Sequence, residues 1–239
     1  MDHRTFYQKL IETDAMPSTS QASPAAFAEQ YDQAAADDEE VVVITISSKL
    51  SGTYQSAMIA AAGRSSVYVV DSENASVGCG ILVGLALRYL RDGMTASAIA
   101  EKLQKDKKKI VVIALLDTLE YLKRGGRISK AAAFAGGLLN IKPVISIADG
   151  EIQLLGKARG SKMGNNLLAQ QIQKVGGIDF TKPVLLGYTG LSDVLLQKYI
   201  EDSSYLWSAS LDDVRYVSIG SVIGAHAGPG AIAVAFFRK

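Results

Sequence analysis

The sequence predicts an α/β protein of two domains, in which a parallel-sheet α/β/α lobe is followed by a two-layer α/β lobe with a mixed sheet. Residues 41–46 and 67–70 are apolar, β-branched runs, and each is followed by a polar loop and a helical pattern. This is typical of parallel strands that are covered on both faces. Later, the Asp-Gly pair at residues 149–150 separates two apolar runs and predicts a hairpin, hence an antiparallel pair. We therefore expect domains over residues 1–105 and 106–239.

The first lobe is predicted to alternate helices with strands. Ser23 and Pro24 suit the N-cap and the first position of a helix, and glycines end two later helices. The expected elements are a short amphipathic helix around residues 6–11, helices over 24–36, 53–62, 76–92 and from 95 onward, and strands over 41–46 and 67–70.

The second lobe is predicted to contain more strands than helices. Its expected strands are residues 110–116, 144–148, 152–157, 184–188, 214–219 and 231–237, and its expected helices are residues 118–123, 161–175 and 192–202. Because two of these strands form the predicted hairpin, the sheet is expected to be mixed.

Composition excludes several classes of function. The chain has 25 basic and 24 acidic residues, a net charge of +1, which gives no electrostatic reason to bind nucleic acid. The longest apolar stretch, residues 77–87, is too short to span a bilayer, so no stable membrane insertion is expected. The single cysteine, Cys79, excludes an intramolecular disulfide framework and favours a cytoplasmic location. With two histidines and one cysteine, a His/Cys metal site is not expected.

Three polar segments lie at strand ends or between elements, where α/β proteins place ligand sites: residues 17–21, 47–53 and 224–230. Ser51 precedes a predicted helix and is either an anion cradle or a plain N-cap. His226 lies in a glycine-rich segment that predicts a tight turn, where ligand contact and a packed core position are equally plausible interpretations.

Two other functions fit the same polar residues. A serine hydrolase would use Ser51 and His226 with Asp71, although the Leu-Ser-Gly-Thr context lacks the Gly-x-Ser-x-Gly pattern of a nucleophile elbow. A binder of phosphorylated metabolites would use the helix start at Ser51, with Lys49 as the local basic residue.

Five segments, taken in order along the chain, resemble one family. They are Pro17-Ser-Thr-Ser-Gln-Ala-Ser-Pro24, Leu50-Ser-Gly-Thr-Tyr-Gln-Ser-Ala57, Val70-Asp-Ser72, Leu119-Glu-Tyr-Leu-Lys-Arg-Gly-Gly-Arg-Ile-Ser129 and Ile223-Gly-Ala-His-Ala-Gly-Pro-Gly-Ala231. Together they resemble the DegV family of bacterial fatty-acid-binding proteins, which includes the binding subunits of fatty acid kinase. The resemblance covers essentially the whole chain.

The resemblance implies a fold and a ligand site. Members have two α/β domains, with a long-chain fatty acid held between and beneath them. The family's carboxylate contacts match Thr19 and Ser51 here, and the family's histidine near the head group matches His226. The supporting loops of this site would include Ser20, Gly52 and Gly228.

The resemblance also implies a role without catalysis. The chain would be a lipid-binding subunit with no cofactor beyond the bound fatty acid, and a separate fatty acid kinase would form the acyl phosphate. Arg124 and Arg127 would lie near the face that contacts this kinase.

The sequence departs from the family's usual pattern in three places. Ala22 stands where a proline is usual and Ala227 where a threonine is frequent. Members usually begin with a buried strand upstream of the first residue here, so we expect that strand to be missing and one edge of the first sheet to be open.

Overall fold

The computed structural model describes residues 1–13, 15–128, 140–207 and 214–239. The chain divides into two compact units. The parallel-sheet unit comprises Ser20–Ile110 and Asp149–Glu151, and the mixed-sheet unit comprises Met1–Thr19, Val111–Ala148 and Ile152–Lys239. The division therefore falls after Ile110, not after residue 105 as predicted, and the first helix belongs with the later part of the chain.

Two parallel strands form the sheet of the parallel-sheet unit. They are β1 (Val41–Thr45) and β2 (Val67–Asp71), paired from Val41 opposite Val67 to Thr45 opposite Asp71. Because the pairing is parallel and in register, both strands end at the same edge of the sheet. The polar loops that follow Thr45 and Asp71 are therefore neighbours.

The helices of this unit lie close to the predicted positions. They are α2 (Pro24–Ala36), α3 (Thr53–Ala61), α4 (Val77–Arg91) and α5 (Ala96–Asp106). The Ser23 hydroxyl accepts a hydrogen bond from the backbone N–H of Ala26 at 3.2 Å, which confirms the predicted cap of α2. Thr95 caps α5 in the same way, through the N–H of Ala98 at 3.3 Å.

The mixed-sheet unit has six strands in the order β5-β4-β3-β8-β6-β7. They are β3 (Ile110–Leu115), β4 (Ile141–Ala148), β5 (Glu151–Arg159), β6 (Leu185–Tyr188), β7 (Tyr216–Ser218) and β8 (Ile232–Phe237). β3 and β4 are antiparallel, as are β6 and β8, whereas β6 and β7 are parallel, so the predicted mixed sheet is confirmed. Every residue of β8 is buried, as its wholly apolar sequence predicts.

Five helices among the described residues complete this unit. They are α1 (His3–Glu12), α6 (Glu120–Arg124), α7 (Gly160–Lys174), α8 (Val194–Asp202) and α9 (Ser221–Ala227). The buried residues Phe6, Tyr7 and Leu10 of α1 pack with Ala225 of α9. This apolar contact explains why the first 19 residues belong to the mixed-sheet unit. No helix in the described ranges has the length and apolar character needed to cross a membrane.

Candidate functional site

Thr19 and His226 meet in the mixed-sheet unit although 207 positions separate them along the chain. The Thr19 Oγ1 atom lies 2.7 Å from His226 Nε2, a hydrogen-bond distance. Both side chains are partly buried. The fold therefore pairs two of the three residues that the family resemblance implies lie at the head group.

His226 lies in a helix, so the predicted turn is wrong at this position. It occupies the last turn of α9, and the turn comes immediately afterward at Gly228, whose φ is 72°. The glycines of residues 224–230 suggested a turn because glycine disfavours helices. In the structure, Gly224 is accommodated within the helix because another side chain needs the space beside it.

Two tyrosines hold α9 through close contacts with its glycines. Tyr7 donates a hydrogen bond from its phenol to the backbone oxygen of Ile219 at 2.7 Å. A Cβ atom at residue 224 would lie 2.4 Å from that phenol oxygen, and one at residue 228 would lie 2.3 Å from the Tyr121 ring. Only glycine therefore fits at Gly224 and Gly228, and these contacts fix α9 and with it His226.

The two nitrogens of the His226 ring have different surroundings. Nδ1 is buried and has no hydrogen-bond partner among the described residues, whereas Nε2 faces Thr19. Burial of the imidazole, together with the positive charge of Arg127, lowers the pKa of His226 below its ordinary value. The ring is therefore neutral at pH 7.

A neutral ring carries one proton, and we assign it to Nε2. In that tautomer, Nε2–H donates to Thr19 and no buried N–H is left without an acceptor. The hydroxyl proton of Thr19 is then available to donate to a ligand. The pair can thus present an uncharged donor to an anion.

Ser51 lies in the loop between β1 and α3, and of its two predicted roles the N-cap is wrong. The N-cap of α3 is Gly52, which provides no side-chain hydrogen bond. The Ser51 hydroxyl instead contacts the Thr53 hydroxyl at 2.9 Å and accepts from the Thr53 N–H at 3.3 Å. This hydroxyl pair is held in place by the start of the helix.

Gln21 is a supporting residue whose role the sequence did not indicate. Its side-chain amide donates to the Ser56 hydroxyl of α3 at 3.2 Å. A Cβ atom at residue 52 would lie 2.0 Å from the Gln21 side-chain oxygen, so Gly52 leaves room for this side chain. Ser20, which precedes Gln21, is exposed. Gln21 itself therefore attaches the segment after Ser20 to the start of α3.

The loops at the ends of β1 and β2 are joined by hydrogen bonds. The Asp71 carboxylate accepts the backbone N–H groups of Ser48 at 3.3 Å and Glu73 at 2.9 Å. Ser47 donates from its hydroxyl to the backbone oxygen of Gly150 at 2.7 Å. Lys49 lies 4.0 Å from the Glu151 carboxylate. Asp71 therefore serves to fix the loop backbone.

The predicted partner face lies in the turn after α6. Arg124 is exposed and pairs with Glu120 at 2.7 Å, one helical turn earlier. Arg127 is partly buried and donates to the backbone oxygen of Gly125 at 2.7 Å. Ser129, the last residue of this sequence segment, lies outside the described residues. Two arginines are thus presented on either side of a Gly-Gly pair.

The described residues contain no group of three or more His, Cys, Asp or Glu side chains that could hold a metal ion. Cys79 is partly buried, and loss of solvent around its thiol raises the pKa to about 11. The thiol is therefore protonated at neutral pH and unsuited to act as a nucleophile.

Comparison with known proteins identifies the chain's relatives. A sequence model described as "Uncharacterised protein, DegV family" matches residues 1–239. The DegV domain-containing protein of Caldanaerobacter subterraneus subsp. tengcongensis is 33% identical over 237 residues, which cover 98% of this chain and 83% of that protein.

Solved structures share the fold. A DegV family protein from Thermus thermophilus, described by its fatty acid binding, superimposes with a TM-score of 0.85 at 34% identity, covering 98% of this chain and 83% of that one. A protein from Eubacterium ventriosum described as binding stearic acid has a TM-score of 0.85 at 28% identity, covering 100% of this chain and 84% of that one. The match over the full length of the sequence and these structural likenesses lead to one conclusion: the chain belongs to the DegV family.

Proposed function

We propose that this chain binds a long-chain fatty acid, whose carboxylate accepts hydrogen bonds from Thr19 and Ser51 with His226 close by. The observation that carries the proposal is the Thr19–His226 pair at 2.7 Å, in a chain whose solved relatives are described as fatty-acid binders. Thr19 and His226 come from distant parts of the sequence, and the contact between them is made by their side chains alone.

The chemistry of the side chains suits a carboxylate head group. A hydroxyl donates a hydrogen bond to an oxygen anion without adding a second charge to a partly buried site. Such charge-assisted bonds contribute about 1.5–3 kcal/mol each. Because His226 is neutral and donates to Thr19, the threonine proton is directed toward the ligand.

The alkyl tail supplies most of the binding free energy. At about 0.8 kcal/mol per buried methylene, a chain of a dozen methylenes gives about 10 kcal/mol. Association costs about 4–15 kcal/mol in lost freedom of motion. The gain from the tail and the cost of association are thus similar in size. The head-group hydrogen bonds therefore decide how much net binding free energy remains and which way round the ligand binds.

We further propose that the protein presents its ligand to a fatty acid kinase and performs no catalysis itself. Arg124 and Arg127 support this role, because arginines on a short turn are frequent anchors in protein interfaces. The kinase partner, the long-chain preference and the cytoplasmic location stay predictions.

The geometry favours neither alternative function. A serine hydrolase needs a carboxylate that orients the histidine through Nδ1, but in the described part of the chain Nδ1 of His226 has no partner and Asp71 accepts backbone N–H groups. A phosphate binder needs an available cation, but Lys49 lies beside Glu151.

Native mass spectrometry of the protein as purified tests the proposal, followed by titration of delipidated protein with oleate and with methyl oleate. We expect a co-purifying acid of C14–C18 length and much weaker binding of the ester, which has the same tail but no carboxylate. A co-purifying phosphate-bearing ligand, or equal affinity for acid and ester, would contradict the proposal.

A further inference from the structure

Gly125 has no backbone reason to be glycine. It caps α6 with φ −73° and ψ −7°, a conformation that every residue except proline adopts without strain. The reason lies in its surroundings. A Cβ atom at residue 125 would lie 2.2 Å from Nδ1 and 2.8 Å from Cε1 of His226. The imidazole ring therefore occupies the space of the missing side chain.

The ring has little freedom to move away. Its edge at Nδ1 is buried against residue 125, and its opposite nitrogen makes the 2.7 Å contact with Thr19. Ordinary van der Waals contact begins at 3.4 Å, so a Cβ atom 2.2 Å from Nδ1 would be at least 1.2 Å too close. Because Nε2 is already 2.7 Å from Oγ1, a ring displaced by that amount cannot keep this hydrogen bond at its present distance and angle.

We propose that Gly125 is a positioning residue for the carboxylate site, because its lack of a side chain lets His226 lie where it directs the Thr19 hydroxyl toward the ligand. The inference rests on the proposed function, since it assigns Gly125 a role in fatty-acid binding. The first glycine of the Gly-Gly pair between Arg124 and Arg127 is then needed to leave room for the His226 ring, and not only to form the turn.

The neighbouring glycine provides a matched control. Gly126 has φ 70°, so alanine there is strained, but its Cβ atom would meet nothing within 4 Å. Gly126→Ala therefore perturbs the same turn without touching the ring, whereas Gly125→Ala touches the ring without straining the backbone. The two substitutions add the same methyl group.

The test measures oleate affinity and, in the ligand-free protein, the His226 pKa and its ring nitrogen resonances by NMR. We expect Gly125→Ala to weaken oleate binding at least 10-fold and to shift the His226 resonances and pKa, and Gly126→Ala to leave affinity within twofold. Unchanged resonances and affinity in Gly125→Ala would overturn the inference.

A double substitution separates positioning from general damage to the turn. In a His226→Ala background there is no ring to displace, so adding Gly125→Ala should cost no further affinity. A further loss in that background would overturn the inference.

If the Gly125→Ala variant fails to fold, folding of the double variant supports the clash, and failure of both variants to fold contradicts it. Absence of oleate binding in the unmodified protein would instead refute the proposed function, while the NMR comparison would still test the contact.

Discussion

Replacing Thr19 by valine removes one hydroxyl and retains the shape of the side chain. This hydroxyl lies 2.7 Å from His226 Nε2, and in the assigned tautomer it accepts from Nε2–H and keeps its own proton for the ligand carboxylate. Loss of one charge-assisted hydrogen bond is worth about 1.5–3 kcal/mol, which corresponds to about 10- to 150-fold weaker binding.

Isothermal titration of delipidated protein with oleate measures this change. Thr19→Ser retains the hydroxyl and should bind within a few-fold of the unmodified protein. Thr13→Val makes the same chemical change at an exposed threonine whose hydroxyl accepts from the backbone N–H of Ala15 at 2.8 Å, and should bind normally. If Thr19→Val binds as tightly as the unmodified protein, the carboxylate does not use this hydroxyl and the reasoning is refuted.

Three other predictions concern the remaining polar residues. Ser51→Ala should weaken oleate binding at least about 10-fold without lowering the melting temperature, since one charge-assisted bond is lost; equal affinity would remove Ser51 from the site. Because the folded-state pKa of His226 is lowered, stability is retained above the unfolded-state pKa of about 6.5 and lost as the pH falls through the folded-state value. Between pH 7 and 5, the free energy of unfolding of the His226→Gln variant should therefore fall less than that of the unmodified protein. The difference is at most about 1.4 kcal/mol per pH unit, and equal decreases in urea titrations would contradict this prediction. Arg127→Ala should raise the His226 pKa measured by NMR, spare oleate binding and slow a reconstituted kinase; an unchanged pKa together with unchanged turnover would count against both roles of Arg127.

The strands could be predicted because their sequences are wholly apolar and bounded by polar loops. Residues 41–46 and 231–237 match β1 and β8 to within one residue at each end, and the Asp-Gly pair lies between β4 and β5 as expected. These signals are local. Each depends on a few neighbouring residues and needs no knowledge of the rest of the chain.

What the sequence could not predict depends on contacts between distant residues. Gly224 suggests a turn until Tyr7 is seen to occupy the space beside it within α9. The grouping of α1 with the mixed-sheet unit likewise depends on its packing against Ala225. The importance of Gly125 could not be recognised, because its meaning comes from the ring of His226.

The resemblance to a family implied that Thr19 and His226 both lie near the ligand head group, which spacing alone would not have suggested. The structure adds the 2.7 Å contact from which the tautomer is assigned, the surroundings that lower the His226 pKa, and the close contact at Gly125. The role of Ser51 in carboxylate binding stays a prediction from that resemblance.

A crystal structure of the protein with oleate bound tests the central claim most directly. The account predicts one carboxylate oxygen within about 3.2 Å of Thr19 Oγ1, an oxygen of the same carboxylate equally close to Ser51 Oγ, and the alkyl chain buried. A carboxylate bound elsewhere, or a reversed ligand whose methyl end lies beside Thr19, would contradict it.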